Sequence, residues 1–126
     1  MEITGKPLHF TTPDEWRAWL QANHATEKDV WLTFYKKHSA TRSITFEEAT
    51  DEALSFGWID SSMKRIDDEK YVLRYTPRRK GSNWSERNKK RVAELIEAGR
   101  MTEAGLAKID EAKQSGKWDE ANRTRA

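Results

Sequence analysis

Cysteine is absent from the 126 residues of this chain. That excludes disulfide staples, thiolate metal sites and a cysteine nucleophile. Histidine is scarce, and His9, His24 and His38 stand too far apart to make a metal-ligand spacing. No run approaches the ~20 apolar residues of a membrane span, so no membrane insertion is expected. Met1–Lys6 lacks the apolar stretch of a signal peptide. With neither export signal nor cysteine, a cytoplasmic location is expected. No internal repeat or low-complexity tract is present, and no Gly-rich nucleotide-binding fingerprint or Gly-x-Ser-x-Gly nucleophile elbow. No cofactor is implied.

What is present is charge and aromatic surface. Charged residues make up 35% of the chain and hydrophobic ones only 36%. Mean hydropathy is −0.99. Such polarity would suit a disordered chain, but disordered chains are poor in aromatics. Here there are six Trp, three Tyr and four Phe. Each buries about 150–250 Å² when packed, so a few can hold a hydrophilic sequence together. The length fits a single domain over 1–126. The ordered part is expected over about 7–118, with loose residues at the start and a polar tail at 119–126.

Four helix starts are readable. Thr12-Pro13-Asp14-Glu15 combines an N-cap, proline at the first helical position and a capping-box glutamate. Trp16, Trp19 and Leu20 follow on one apolar face. Thr45 and Glu48 form a second box, with Ala49, Ala53 and Phe56 on one face and Gly57 as the stop. A third helix begins near Ser82–Ser85, with Asn83 and Glu86 at box spacing, a stripe of Val92, Leu95 and Ile96, and an end at Gly99. Thr102 caps a fourth helix, with Met101 and Leu106 at staple positions and Gly116 as its close.

Three strands fit between these helices. Val30–Tyr35 is apolar or β-prone on both faces and reads as a central strand. Trp58–Ile66 and Tyr71–Thr76 flank a turn at Asp67-Asp68-Glu69. Leu8–Phe10 suggests a short edge strand. The order βαβαββαα gives an α+β fold: a small, mostly antiparallel sheet of three to four strands packed with about four helices. Pairing Ile66 with Lys70 puts Met63, Leu73 and Tyr75 on the core face. It puts Asp60, Ser62, Lys64 and Arg74 on the other, where Asp60 and Arg74 are expected to pair. A slip of one residue would exchange these faces.

The net charge of +2 conceals an asymmetry. Residues 64–100 hold twelve Lys/Arg against six acids, a local +6, and the rest of the chain carries −4. The centre of the basic region is Tyr75-Thr76-Pro77-Arg78-Arg79-Lys80-Gly81-Ser82-Asn83-Trp84-Ser85. Three consecutive cations lead into a helix N-terminus, whose free N–H groups favour anions. Arginine offers a planar fork to phosphate or carboxylate. Ser82 and Asn83 add neutral donors, and Trp84 offers a ring for stacking. The plainer reading is a solvated basic loop with Ser82 or Asn83 capping and Trp84 in the core. Asp60 is the second candidate: a structural carboxylate beside Arg74, or a general acid/base.

Three blocks carry a resemblance: Trp31-Leu32-Thr33-Phe34-Tyr35-Lys36-Lys37; Glu48 to Phe56-Gly57-Trp58-Ile59-Asp60; and Thr76-Pro77-Arg78-Arg79 with Ser82-Asn83-Trp84-Ser85 and Asn88. With Arg91–Ile96 and Gly99–Leu106, the chain resembles the YdeI/OmpD-associated family over about residues 8–118. Members of that family are labelled bacteriocin-protection proteins. The resemblance implies a part in bacterial tolerance of antimicrobial peptides. It implies no established reaction, cofactor or catalytic residue. One departure is Ser61, where the family commonly has glycine; serine does not take positive φ without strain.

Three functions fit these residues. The first is a cytoplasmic binding module linked to stress or antimicrobial-peptide tolerance. Its face would comprise Asp60, Arg74, Arg78, Arg79, Ser82, Asn83 and Trp84, and its ligand would be an anionic small molecule, a peptide or a nucleic-acid backbone. The second is an enzyme with Asp60 as general base and arginines as anion clamp. The third is a scaffold that works through a protein partner.

Overall fold

The computed structural model describes residues 5–79 and 81–119. Lys80 of the basic loop, and residues 1–4 and 120–126 of the two ends expected to be loose, lie outside the described residues. The elements are α1 (Pro13–Asn23), β1 (Val30–Tyr35), α2 (Phe46–Ser55), β2 (Trp58–Arg65), β3 (Lys70–Pro77), α3 (Glu86–Glu97) and α4 (Glu103–Ser115). A further helical turn covers 117–119. The fold is α+β, with three strands in the order β1-β3-β2. The Leu8–Phe10 strand is reduced to one parallel bridge from Leu8 to Leu32.

The chain groups into two compact units. The first holds the residues up to Ala53 together with Ile59–Pro77; the second holds Leu54–Trp58 and the residues from Arg78 onward.

In the first unit, α1 begins as its sequence dictates. The Thr12 hydroxyl accepts from the Glu15 N–H at 3.3 Å, and Glu15 Oε1 accepts from the Thr12 N–H at 3.1 Å. Thr11 adds its N–H and hydroxyl to the same carboxylate oxygen at 2.8 and 2.9 Å. The bonds of the Thr12 and Glu15 N–H groups satisfy donors that a helix start otherwise leaves open, and Thr11 anchors the glutamate that does so. Trp16 is the centre of the core. Its ring lies 5.4 Å from that of Tyr75 and 5.6 Å from that of the half-buried Trp19, and its Nε1–H donates to Ala49 O at 3.0 Å. α2 starts on the expected box, with reciprocal Thr45 and Glu48 bonds of 2.9 and 3.1 Å.

The sheet departs from the sequence reading in two ways. The central strand is β3, not β1. Leu73 and Val72 are buried on opposite faces of β3, and Leu32 and Thr33 pair with them. β1 still buries Val30, Trp31, Leu32 and Phe34, and its other edge meets Leu8, whose N–H donates to Trp31 O and whose carbonyl accepts from the Thr33 N–H, both at 2.8 Å. Second, Met63 does not join Leu73 and Tyr75 in the core; it is 67% exposed. Along β2 Ile59, Asp60 and Ser62 are half-buried, while Ser61 and Met63 face solvent. The expected pairing of Ile66 with Lys70 is present, the Ile66 N–H donating to Lys70 O at 3.2 Å, yet from Asp60 to Met63 the burial runs opposite to the expectation.

In the second unit, Leu54, Trp84, Val92, Leu95, Ile109 and Ala112 form one core, with Met101 and Trp118 packed on it. α3 is capped by Ser85, whose hydroxyl accepts from the Asn88 N–H at 3.1 Å, and not by an Asn83–Glu86 box. Ile96 is exposed and outside the α3 stripe, and Leu106 is exposed at the start of α4. Thr102 caps α4 as expected and also seals the end of α2. Its N–H and hydroxyl both donate to Ser55 O, at 3.0 and 2.7 Å. Gly105 permits this approach, because a Cβ there would collide with the Ser55 carbonyl. Gly57 has φ +76°, and a Cβ there would lie 2.5 Å from Lys108 Cγ. Phe56-Gly57-Trp58 is thus a packing motif held against α4.

Candidate anion-binding site

The seven candidate residues fall into two sets, one in each unit. Arg78, Arg79, Ser82, Asn83 and Trp84 share the loop between β3 and α3. Its first anchor is the backbone: the Arg78 N–H donates to Gly57 O at 2.9 Å. The second is the Arg78 side chain, which is only 2% exposed. Its guanidinium carbon lies 3.7 Å from the centre of the Trp84 ring. Its Nη1 donates to Ser82 Oγ at 2.9 Å and to Asn83 O at 3.0 Å. A turn closes between them, with the Ser82 N–H on Arg79 O at 3.0 Å. Trp84 lies 5.1 Å from the Trp118 ring and is itself in the core.

This geometry divides the labour within the loop. A desolvated guanidinium stacked on indole contributes about 2 kcal/mol. Arg78 and Trp84 therefore build the loop, and Ser82 holds the guanidinium. Arg79 and Asn83 remain exposed, where a ligand can reach them. Trp84 lies in the core, as the plainer reading expects; the cap is Ser85 and not Ser82 or Asn83, and Arg78 is an internal cation.

Asp60 and Arg74 lie in the first unit, and the expected ion pair between them is replaced. Arg74 Nε donates to Asp29 Oδ2 at 2.9 Å. The strand register explains the exchange. Arg74 pairs with Trp31 across β1 and β3. Asp29 lies two residues before Trp31 and so falls diagonally beside Arg74 on the same face. Reading Asp29 from the sequence would have required the β1–β3 register, a long-range pairing that local spacing does not encode. Ser61, beside Asp60, lies within β2 and has no positive φ, so the absence of glycine there causes no strain.

Asp60 acts on a different neighbour. The Tyr75 phenol is fully buried, and its pKa is raised well above the usual value of 10.0, first by desolvation and then by the Asp60 carboxylate. The Thr50 hydroxyl opposes the shift. Both hydroxyls are buried, and neither has a partner besides the other among the described residues. Tyr75 therefore stays a neutral phenol and is no source of a phenolate.

Lys89 is a buried cation that the helical pattern of α3 masked as surface. Its Nζ donates to Trp118 O at 2.9 Å and pairs with Glu86 at 3.0 Å. The signal for it lay in a segment more than twenty residues away. Among the described residues no group of three or more His, Asp or Glu is placed to hold a metal ion, and no helix is long and apolar enough to cross a membrane.

These features define a small α+β protein whose basic loop is built onto a tryptophan. The chain belongs to the family described as a domain of unknown function, DUF8412, whose model matches residues 8–108. No curated protein and no solved structure matches it.

Proposed function

We propose that this chain is a binding module for anionic groups, phosphate or carboxylate, carried by a small molecule or a peptide. Arg79 and Asn83 would make the contacts at the entrance to α3. The observation that carries this reading is the Arg78–Trp84 stack with its bonds to Ser82 and Asn83. A loop fixed in this way loses less entropy on binding than a solvated run of cations. By resemblance to the YdeI/OmpD-associated family, we further propose that the module acts in the bacterial cytoplasm and serves stress or antimicrobial-peptide tolerance.

Isothermal titration with inorganic phosphate, a nucleoside triphosphate, an acidic peptide and a short DNA duplex tests the reading. At least one probe is expected to bind wild type, and Arg79→Ala to abolish that binding in a folded protein. Unchanged affinity in both Arg79→Ala and Asn83→Ala rejects the site. If the duplex is the ligand, log K falls with log salt with a slope of about −0.9 per phosphate contact.

A further inference from the structure

The described sheet ends on β2. The order β1-β3-β2 leaves its outer side without a strand partner among the described residues. An open edge exposes a row of backbone donors and acceptors to any strand that fits. Edge strands are commonly protected by a lysine, and β2 carries Lys64. The same strand carries Asp60, four residues away and therefore on the same face. It also exposes Met63 on the opposite face, the most exposed large hydrophobic side chain among the described residues.

We propose that β2 pairs antiparallel with β2 of a second copy of this chain, about a two-fold axis at Ser62. That register sets Asp60 opposite Lys64 of the other copy, and by symmetry Lys64 opposite Asp60. Both edge charges are then matched, and lysine stops acting as a guard. Ser62 faces its own counterpart. Met63 lies opposite Ser61 and diagonal to the second Met63, within the roughly 7–8 Å at which long side chains meet. The neighbouring register, centred on Met63, sets Asp60 against Ile66 and Lys64 against Ser62, so that Lys64 meets Asp60 of the other copy only along the longer diagonal. Charge complementarity thus selects one register and names the occupant: a strand carrying the same Asp60–Lys64 spacing in the reverse direction, which this chain itself supplies. The two three-stranded sheets become one of six strands.

Sedimentation equilibrium of the full chain tests the proposal across micromolar to millimolar concentration. The 14.7 kDa chain is expected to pass from monomer to dimer. Lys64→Glu sets acid against acid twice and is expected to raise the dimer dissociation constant about tenfold or more. The charge swap Asp60→Lys with Lys64→Glu restores it. A second measurement does not depend on the charges. Because the chain has no cysteine, Ser62→Cys introduces a lone thiol that meets its own copy at disulfide distance. It is expected to cross-link under mild oxidation much faster than Ser115→Cys on exposed surface. A chain that stays monomeric, a dimer indifferent to Lys64→Glu, or equal cross-linking of the two cysteine variants overturns the proposal.

Discussion

The carbonyl of Ser55 accepts two hydrogen bonds from Thr102, one from its N–H and one from its hydroxyl. The C-terminal end of one helix is thereby closed by the N-cap of another, and the two backbones approach too closely for a side chain at Gly105. Helix propensity alone favours Gly→Ala by about 1 kcal/mol. Here the collision with a backbone carbonyl outweighs that gain, because overpacking costs about 1–3 kcal/mol. Gly105→Ala is expected to lower the midpoint of chemical denaturation. A rise in that midpoint would mean that the contact yields readily.

Arg78 and Arg79 are neighbours with opposite expected phenotypes. Arg78→Ala empties a buried site and removes the stack on Trp84, at a cost of about 2 kcal/mol or more. Arg79→Ala alters an exposed side chain and should shift stability by no more than about 0.5 kcal/mol. Thermal denaturation of the two variants, set beside their anion titrations, separates construction of the loop from contact with ligand.

Tyr75→Phe deletes a buried hydroxyl whose polar neighbour among the described residues is the buried Thr50 hydroxyl. Losing a weak neutral pair is offset by the desolvation cost it relieves, so the variant is expected to stay within about 1 kcal/mol of wild type at neutral pH. The raised phenol pKa adds a second expectation. Below pH 10 the group is protonated whether the chain is folded or not. As pH rises past 10.0 the unfolded state loses the proton first, so stability falls with rising pH. Tyr71, raised chiefly by burial as well, contributes in the same sense. Tyr75→Phe should flatten the alkaline limb of a stability–pH curve, and a slope equal to wild type would contradict the assignment.

At acid pH the group to watch is Glu15. Its carboxyl is held below the ordinary 4.5 by the Thr11 N–H first, then by the Thr11 hydroxyl and the Thr12 N–H. Its contribution is therefore present above that ordinary value and is lost as pH falls through the lowered one. Asp67, held down mainly by the Glu69 N–H in the hairpin turn, behaves alike. Glu15→Gln should remove part of the acid-side slope, and hydrogen exchange should show α1 opening first as the box protonates.

What the sequence made legible was mostly local. Thr12, Thr45 and Thr102 announce their helices because a cap is a bond over three residues. Gly57 and Gly116 mark ends because both adopt positive φ. The α+β order and the hairpin around Asp67 follow from the same short-range chemistry. Local spacing also misleads, since Ser85 and not the Asn83–Glu86 spacing caps α3, but the larger departures involve strand pairing. An apolar run on both faces of β1 marks burial, but burial does not say how many strands lie beside it. Alternation points Met63 inward, but alternation names a face and not whether anything covers it, and Met63 is exposed. Of the candidate site, the Arg78–Trp84 loop was visible as a cluster of residue types. Its division into internal and external cations was not, since neighbouring arginines look alike until their side chains are followed. Asp29 was missed because its link to Arg74 runs across two strands.

The short segment Leu54–Trp58 has a topological consequence. The backbone passes from the first unit to the second after Ala53, returns after Trp58, and passes again after Pro77. With three covalent crossings, no single peptide cleavage separates the units. A gene fragment ending at Pro77 would still encode Leu54–Trp58, but without the Thr102 and Arg78 backbone groups that bond Ser55 and Gly57. The two units are therefore stitched together in sequence, and recombination at one breakpoint cannot shuffle them as independent modules.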